Sequence, residues 1–93
     1  MIKSELVERV AKITGVTKTD TKMMVNAILE EISKELDSGS DVKLSGFGSF
    51  RVSVIAAHEG YNPTGGDPLQ YPDQKRVRFK PAKELRERVN KNV

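Results

Sequence analysis

The sequence predicts an α+β domain of three helices and three strands, with a segment protruding from the sheet and an interface for a second subunit. Three observations carry this. Apolar residues recur at helical spacing as far as Leu36, then from Asp41 the period switches to two. Glycine and proline crowd residues 60–72, where neither a helix nor a sheet centre can form. Finally, 93 residues make one domain that buries a comparatively small fraction of its surface, so stability calls for an oligomer.

In chain order, Ser4 is the expected N-cap of a first helix whose apolar face is Leu6, Val7, Val10, Ala11 and Ile13, and Gly15 ends it. Thr17 opens a second helix with Asp20 where a capping box usually has Glu or Gln. Met24, Val25, Ile28, Leu29, Ile32 and Leu36 continue its apolar stripe to Ser38-Gly39. The short Gly15-Val16 connection makes the pair an antiparallel helical hairpin, and Met23 and Met24 are read as core packing rather than ligands.

Val42 and Leu44 then alternate with Lys43 and Ser45, and Phe50, Val52 and Val54 alternate with Arg51 and Ser53. Gly46-Phe47-Gly48 lies between them, with glycines able to take positive φ and Phe47 turning inward. Alternation fails near Ile55 and resumes at Lys75. There Val77 and Phe79 face one way, and Arg76, Arg78 and Lys80 the other. Pro81 is expected in the first turn of a short basic helix with Leu85 and Val89 as its apolar stripe.

Composition removes several functions. There is no cysteine, and the single His58 cannot assemble a protein-only metal site, so no metal or cofactor is expected. Ser4, Ser45 and Ser49 lack a His-plus-carboxylate arrangement nearby, and Gly46-Phe47-Gly48 is too short for a phosphate-binding loop; an enzyme with a small-molecule substrate is not expected. No apolar run approaches the roughly 20 residues that span a bilayer, which predicts a cytoplasmic protein without a membrane partner. Charge is distributed unevenly: residues 1–51 hold 8 basic and 8 acidic side chains, residues 52–74 hold none and 3, and residues 75–93 hold 8 and 2. The net charge of +3 therefore comes from the last nineteen residues, an electrostatic footprint for nucleic acid or another polyanion.

The order and spacing of several pieces resemble the bacterial histone-like proteins, HU and integration host factor. They are Lys3-Ser4-Glu5-Leu6, Val42-Lys43-Leu44-Ser45-Gly46-Phe47-Gly48-Ser49-Phe50, Gly60-x-Asn62-Pro63 and Phe79-Lys80-Pro81-x-Lys83-x-Leu85. The ending looks more like the integration host factor branch than plain HU. The resemblance covers essentially the whole chain. It implies one histone-like DNA-binding domain over residues 1–93, divided into a helical hairpin (1–39), a three-stranded antiparallel sheet (40–80) with a β-ribbon arm at about 53–75, and a C-terminal helix (81–93). Two copies would form an intertwined dimer, a homodimer being the expectation and a heterodimer remaining open. It also implies a nucleoid-associated protein that bends or compacts double-stranded DNA with little sequence specificity. Pro63 would wedge between base steps in the minor groove, flanked by Tyr61 and Asn62. Lys3, Arg51, Lys75, Arg76, Arg78, Lys80, Lys83 and Arg86 would contact DNA from the body, with helix N-termini assisting.

The arm departs from the family pattern. Ser53, Ile55, His58 and Tyr61 stand where cations are expected, Glu59, Asp67 and Asp73 add negative charge, and Thr64 comes one position early after Asn62-Pro63. Each missing phosphate contact flattens the salt dependence by roughly 0.9 in log–log slope. The second reading is therefore an HU-fold dimer with a degenerate arm, binding DNA by its body alone or serving as a protein-interaction partner through Ile55, Tyr61, Leu69 and Tyr71.

Overall fold

The structure is a computed structural model that describes residues 1–55, 58–60, 69–71 and 73–91, with backbone alone at 58–60 and 69–71. The chain divides into two compact units, Met1–Lys34 and Glu35–Val93.

In the first unit, α1 spans Lys3–Thr14 and ends where Gly15 takes φ 74° and donates its N–H to Ala11 O. Val7 and Ala11 are buried and Leu6 and Val10 half-buried, as the periodicity requires. Ser4 is not the cap: Ile2 occupies that position in extended conformation with no side-chain bond, and Ser4 lies inside the first turn. Ile13 also departs from expectation, at 83% exposure, because it sits at the stripe's edge in the last turn. Helix α2 spans Lys18–Asp37. Thr17 caps it, its Oγ1 accepting Asp20 N–H at 3.2 Å, while Thr21 Oγ1 donates to Thr17 O at 2.8 Å and is fully buried.

Two contacts fix the antiparallel sense of the hairpin. Lys18 Nζ meets Glu8 Oε1 at 3.3 Å near the turn, and Lys3 Nζ donates to Asn26 Oδ1 at 2.8 Å farther along. The 12 residues of α1 are too few to cover the 20 of α2. Met23, Met24, Ile28 and Leu29 consequently remain exposed in the single chain, so the two methionines are not interior packing here. Leu6, Val10, Val25 and Ile28 line an open apolar groove between the helices.

In the second unit the strands are β1 (Val42–Leu44), β2 (Gly48–Ile55), β3 (His58–Gly60), β4 (Leu69–Tyr71) and β5 (Gln74–Pro81), followed by α3 (Lys83–Asn90). The sheet has the order β1-β2-β5, antiparallel throughout, with Phe50 opposite both Val42 and Phe79. Strands β3 and β4 pair separately as a two-stranded ribbon, His58 opposite Tyr71 and Gly60 opposite Leu69. Within the segment where alternation fails, the described residues 58–60 and 69–71 are therefore paired strands.

The β1–β2 turn uses only one of its two glycines as a turn residue. Gly46 takes φ 77° and Phe47 N–H returns to Leu44 O, but Gly48 is already in β2. A Cβ at Gly48 would lie 2.5 Å from Phe79 Cζ and 2.7 Å from Lys80 O, so close approach, not positive φ, accounts for this glycine. Phe79 packs between Phe47 and Phe50 at centroid distances of 5.5 and 5.0 Å. Pro81 is the last residue of β5 rather than part of the helix; at a strand end its missing N–H forfeits no ladder bond, and Ala82 becomes the N-cap of α3. Leu85 is half-buried, whereas Val89 is 72% exposed.

Candidate nucleic-acid interface

Side chains alternate across a strand, so the register sorts the sheet into two rows. Phe50, Val52 and Val54 of β2 share one face with Phe79, Val77 and Lys75 of β5. The other face brings together Ser49 with Lys80, Arg51 with Arg78, and Ser53 with Arg76, and Lys43 of β1 joins it opposite Ser49. Five cations thus occupy one side of three strands, all exposed.

Arg51 and Arg78 stand directly opposite one another, an arrangement that destabilises an isolated sheet. Two unit charges 4 Å apart repel by roughly 1 kcal/mol even in bulk water. Among the described residues, none of these five cations forms an ion pair. Ion pairs among the described residues join Arg9 to Glu5, Lys18 to Glu8, Lys34 to Glu31 and Lys83 to Glu87. An anion placed between the two guanidiniums turns their repulsion into paired attraction, and guanidinium geometry suits phosphate oxygens bidentately.

At the end of this row the start of α3 adds backbone donors. Ala82 caps without a side-chain bond, and the first N–H to find a helical acceptor is Arg86, donating to Ala82 O. The N–H groups of Lys83, Glu84 and Leu85 precede that bond in the first turn, where the helix dipole also favours an anion. Lys43, Ser49, Arg51, Lys80, Lys83 and Arg86 line an open cavity of about 400 Å³ here, with Glu84 its one carboxylate.

Of the residues singled out from the sequence, Arg51, Arg76, Arg78, Lys80, Lys83 and Arg86 therefore belong to one basic surface of the second unit, with Lys83 also 3.8 Å from Glu87. Lys3 belongs to the helical unit, at the uncapped start of α1, held by the neutral Asn26 amide. Lys75 lies on the opposite face from the cation row and donates to Asp37 O at 3.2 Å. Tyr61, Asn62 and Pro63 lie outside the described residues, as do the side chains of His58, Glu59, Leu69 and Tyr71. Lys43 was missed, although its alternation with Val42 and Leu44 is the signal that places it.

Comparison with known proteins agrees with this geometry. Residues 1–90 match the family model described as bacterial DNA-binding protein. HU of Thermotoga maritima is 45% identical over 89 residues, covering 96% of this chain and 99% of that protein. Integration host factor subunit beta of Marinobacter nauticus is 44% identical over 94 residues, covering 100% and 96%. Among solved structures, HU of Anabaena cocrystallised with DNA superposes with a TM-score of 0.82 at 38% identity, covering 96% of this chain and 97% of that one. From the α1–α2 hairpin to the basic sheet face and α3, this chain belongs to the bacterial DNA-binding protein family that includes HU and integration host factor.

Proposed function

We propose that this protein is a non-enzymatic, nucleoid-associated architectural protein that works as a dimer and bends or compacts duplex DNA with little base specificity. The observation that carries it is the row of Lys43, Arg51, Arg76, Arg78 and Lys80, unpaired among the described residues and continued by the start of α3. Such a row binds phosphates, which position a duplex without reading its sequence. The Anabaena relative was crystallised with DNA, which supports the same partner here. Lys3, Lys83 and Arg86 add to the phosphate surface, and Tyr61, Asn62 and Pro63, which lie outside the described residues, are by family resemblance the ones to enter the minor groove. None of the relatives favours a protein-interaction role in place of DNA.

The dimer is supported by the opposite face. Val54, Val77 and Phe79 are 62%, 56% and 42% exposed, and Ile28 and Leu29 of α2 are exposed as well. Apolar surface on that scale calls for a partner, and a second copy is the occupant that a 93-residue domain of this family supplies. A gel-shift titration on linear, nicked and four-way-junction DNA over a range of salt tests the function. Binding that weakens steeply with salt is expected, and no binding to any of the three at low salt would sink the reading.

A further inference from the structure

The connection between α2 and β1 touches both strands that lead into the ribbon. Pairing of β1 with β2 ends at Val42 opposite Phe50. Beyond that point Asp41 takes over, its Oδ1 accepting the backbone N–H of Val52 at 3.0 Å. On the other strand Lys75 Nζ donates to Asp37 O at 3.2 Å. That carbonyl belongs to the last turn of α2, where Gly39, at φ 89°, and Ser40 return their N–H groups to Leu36 O and Glu35 O. This left-handed closure leaves the Asp37 carbonyl outside its own bonds, and a cation there is also favoured by the helix dipole. Residues 37–41 thus hold β2 three positions before its end and β5 one position after its start.

We propose that residues 37–41 form a buckle that fixes the direction in which the ribbon leaves the sheet, with Asp41 and Lys75 as positioning residues for DNA bending rather than phosphate ligands. Two facts distinguish this from a direct role. Lys75 shares its face with Val77 and Phe79, so its amine is directed away from Arg76, Arg78 and Lys80. Asp41 lines a groove with Arg51, Arg78 and Lys80, where a carboxylate repels phosphate and therefore weakens DNA binding unless it serves another purpose. The inference rests on the reading above, in which the ribbon engages DNA.

The test compares wild type with Asp41→Ala, Lys75→Met and their double variant, and with Asp41→Asn and Lys75→Arg, which keep the acceptor and the donor. Bend angle is read by energy transfer across an end-labelled nicked duplex, and affinity by titration over a range of salt. Asp41→Ala and Lys75→Met are expected to lose bending while the salt slope stays at the wild-type value, with Asn and Arg restoring the bend. Without DNA, Asp41→Ala should speed exchange of the Val52 amide roughly five- to tenfold, the loss of one hydrogen bond. A salt slope lowered by about 0.9 per chain in Lys75→Met, with bending intact, would make Lys75 a phosphate ligand and overturn the proposal. Wild-type bending and Val52 exchange in both Asp41→Ala and Lys75→Met would overturn it too. A wild-type protein that binds without bending removes the bending part of the functional reading instead, and the Val52 exchange rates then decide the buckle alone.

Discussion

The two faces of the three-stranded sheet are built on the same strands, yet they are incomplete in opposite ways. One carries Lys43, Arg51, Arg76, Arg78 and Lys80, cations that form no ion pair among the described residues and whose mutual repulsion a bound anion relieves. The other carries Phe50, Val52, Val54, Val77 and Phe79, apolar groups left partly in water by the single chain. Neither deficiency can be repaired within a three-residue β1 and two eight-residue strands. The contrast teaches that stability and DNA binding are assigned to separate faces, so substitutions should separate them as well.

The largest effect is expected from Phe79→Ala, which removes the ring lying between Phe47 and Phe50. A loss of roughly 3 kcal/mol is anticipated in denaturant unfolding, with a midpoint that depends on protein concentration. Gly48→Ala comes next, because the new methyl meets both the Phe79 ring and the Lys80 carbonyl; about 2 kcal/mol should be lost, and thermal unfolding at fixed concentration measures it. On the cationic face, replacing Arg51 and Arg78 by Gln should lower the log–log salt slope of DNA binding by about 0.9 for each contact, with stability unchanged or slightly raised. If that double variant unfolds as readily as Phe79→Ala, the division between faces is wrong. The smallest effect, about 1 kcal/mol, belongs to Thr17→Ala, which removes the α2 cap; DNA affinity of the folded protein should not move.

Legibility from the sequence followed the range of the interactions. Helical stripes, Gly15, Thr17 and the Arg76-Arg78-Lys80 row depend on local spacing, and each was readable from it. The role of Gly48 was not, because the Phe79 ring it accommodates is 31 positions away in the chain and adjacent only once β2 meets β5. Pro81 misled for a related reason, since its fixed φ suits a strand end as well as a helix start and only the pairing with Gly48 decides. The juxtaposition of Arg51 and Arg78 likewise requires the register. Lys75 shows the converse: its parity with Val77 was visible, but density of charge outweighed it when it was grouped with its neighbours.

Because the cation row and the apolar row share β2 and β5, whatever binds one face acts by mass action on the equilibrium of the other. A duplex present at 100 times its dissociation constant stabilises the form it binds by roughly 2.7 kcal/mol. If that form is the dimer, subunits too dilute to associate in solution will associate on the duplex, which then serves as the template for assembly. Salt, which weakens the hold on the duplex, will then raise the protein concentration that assembly requires.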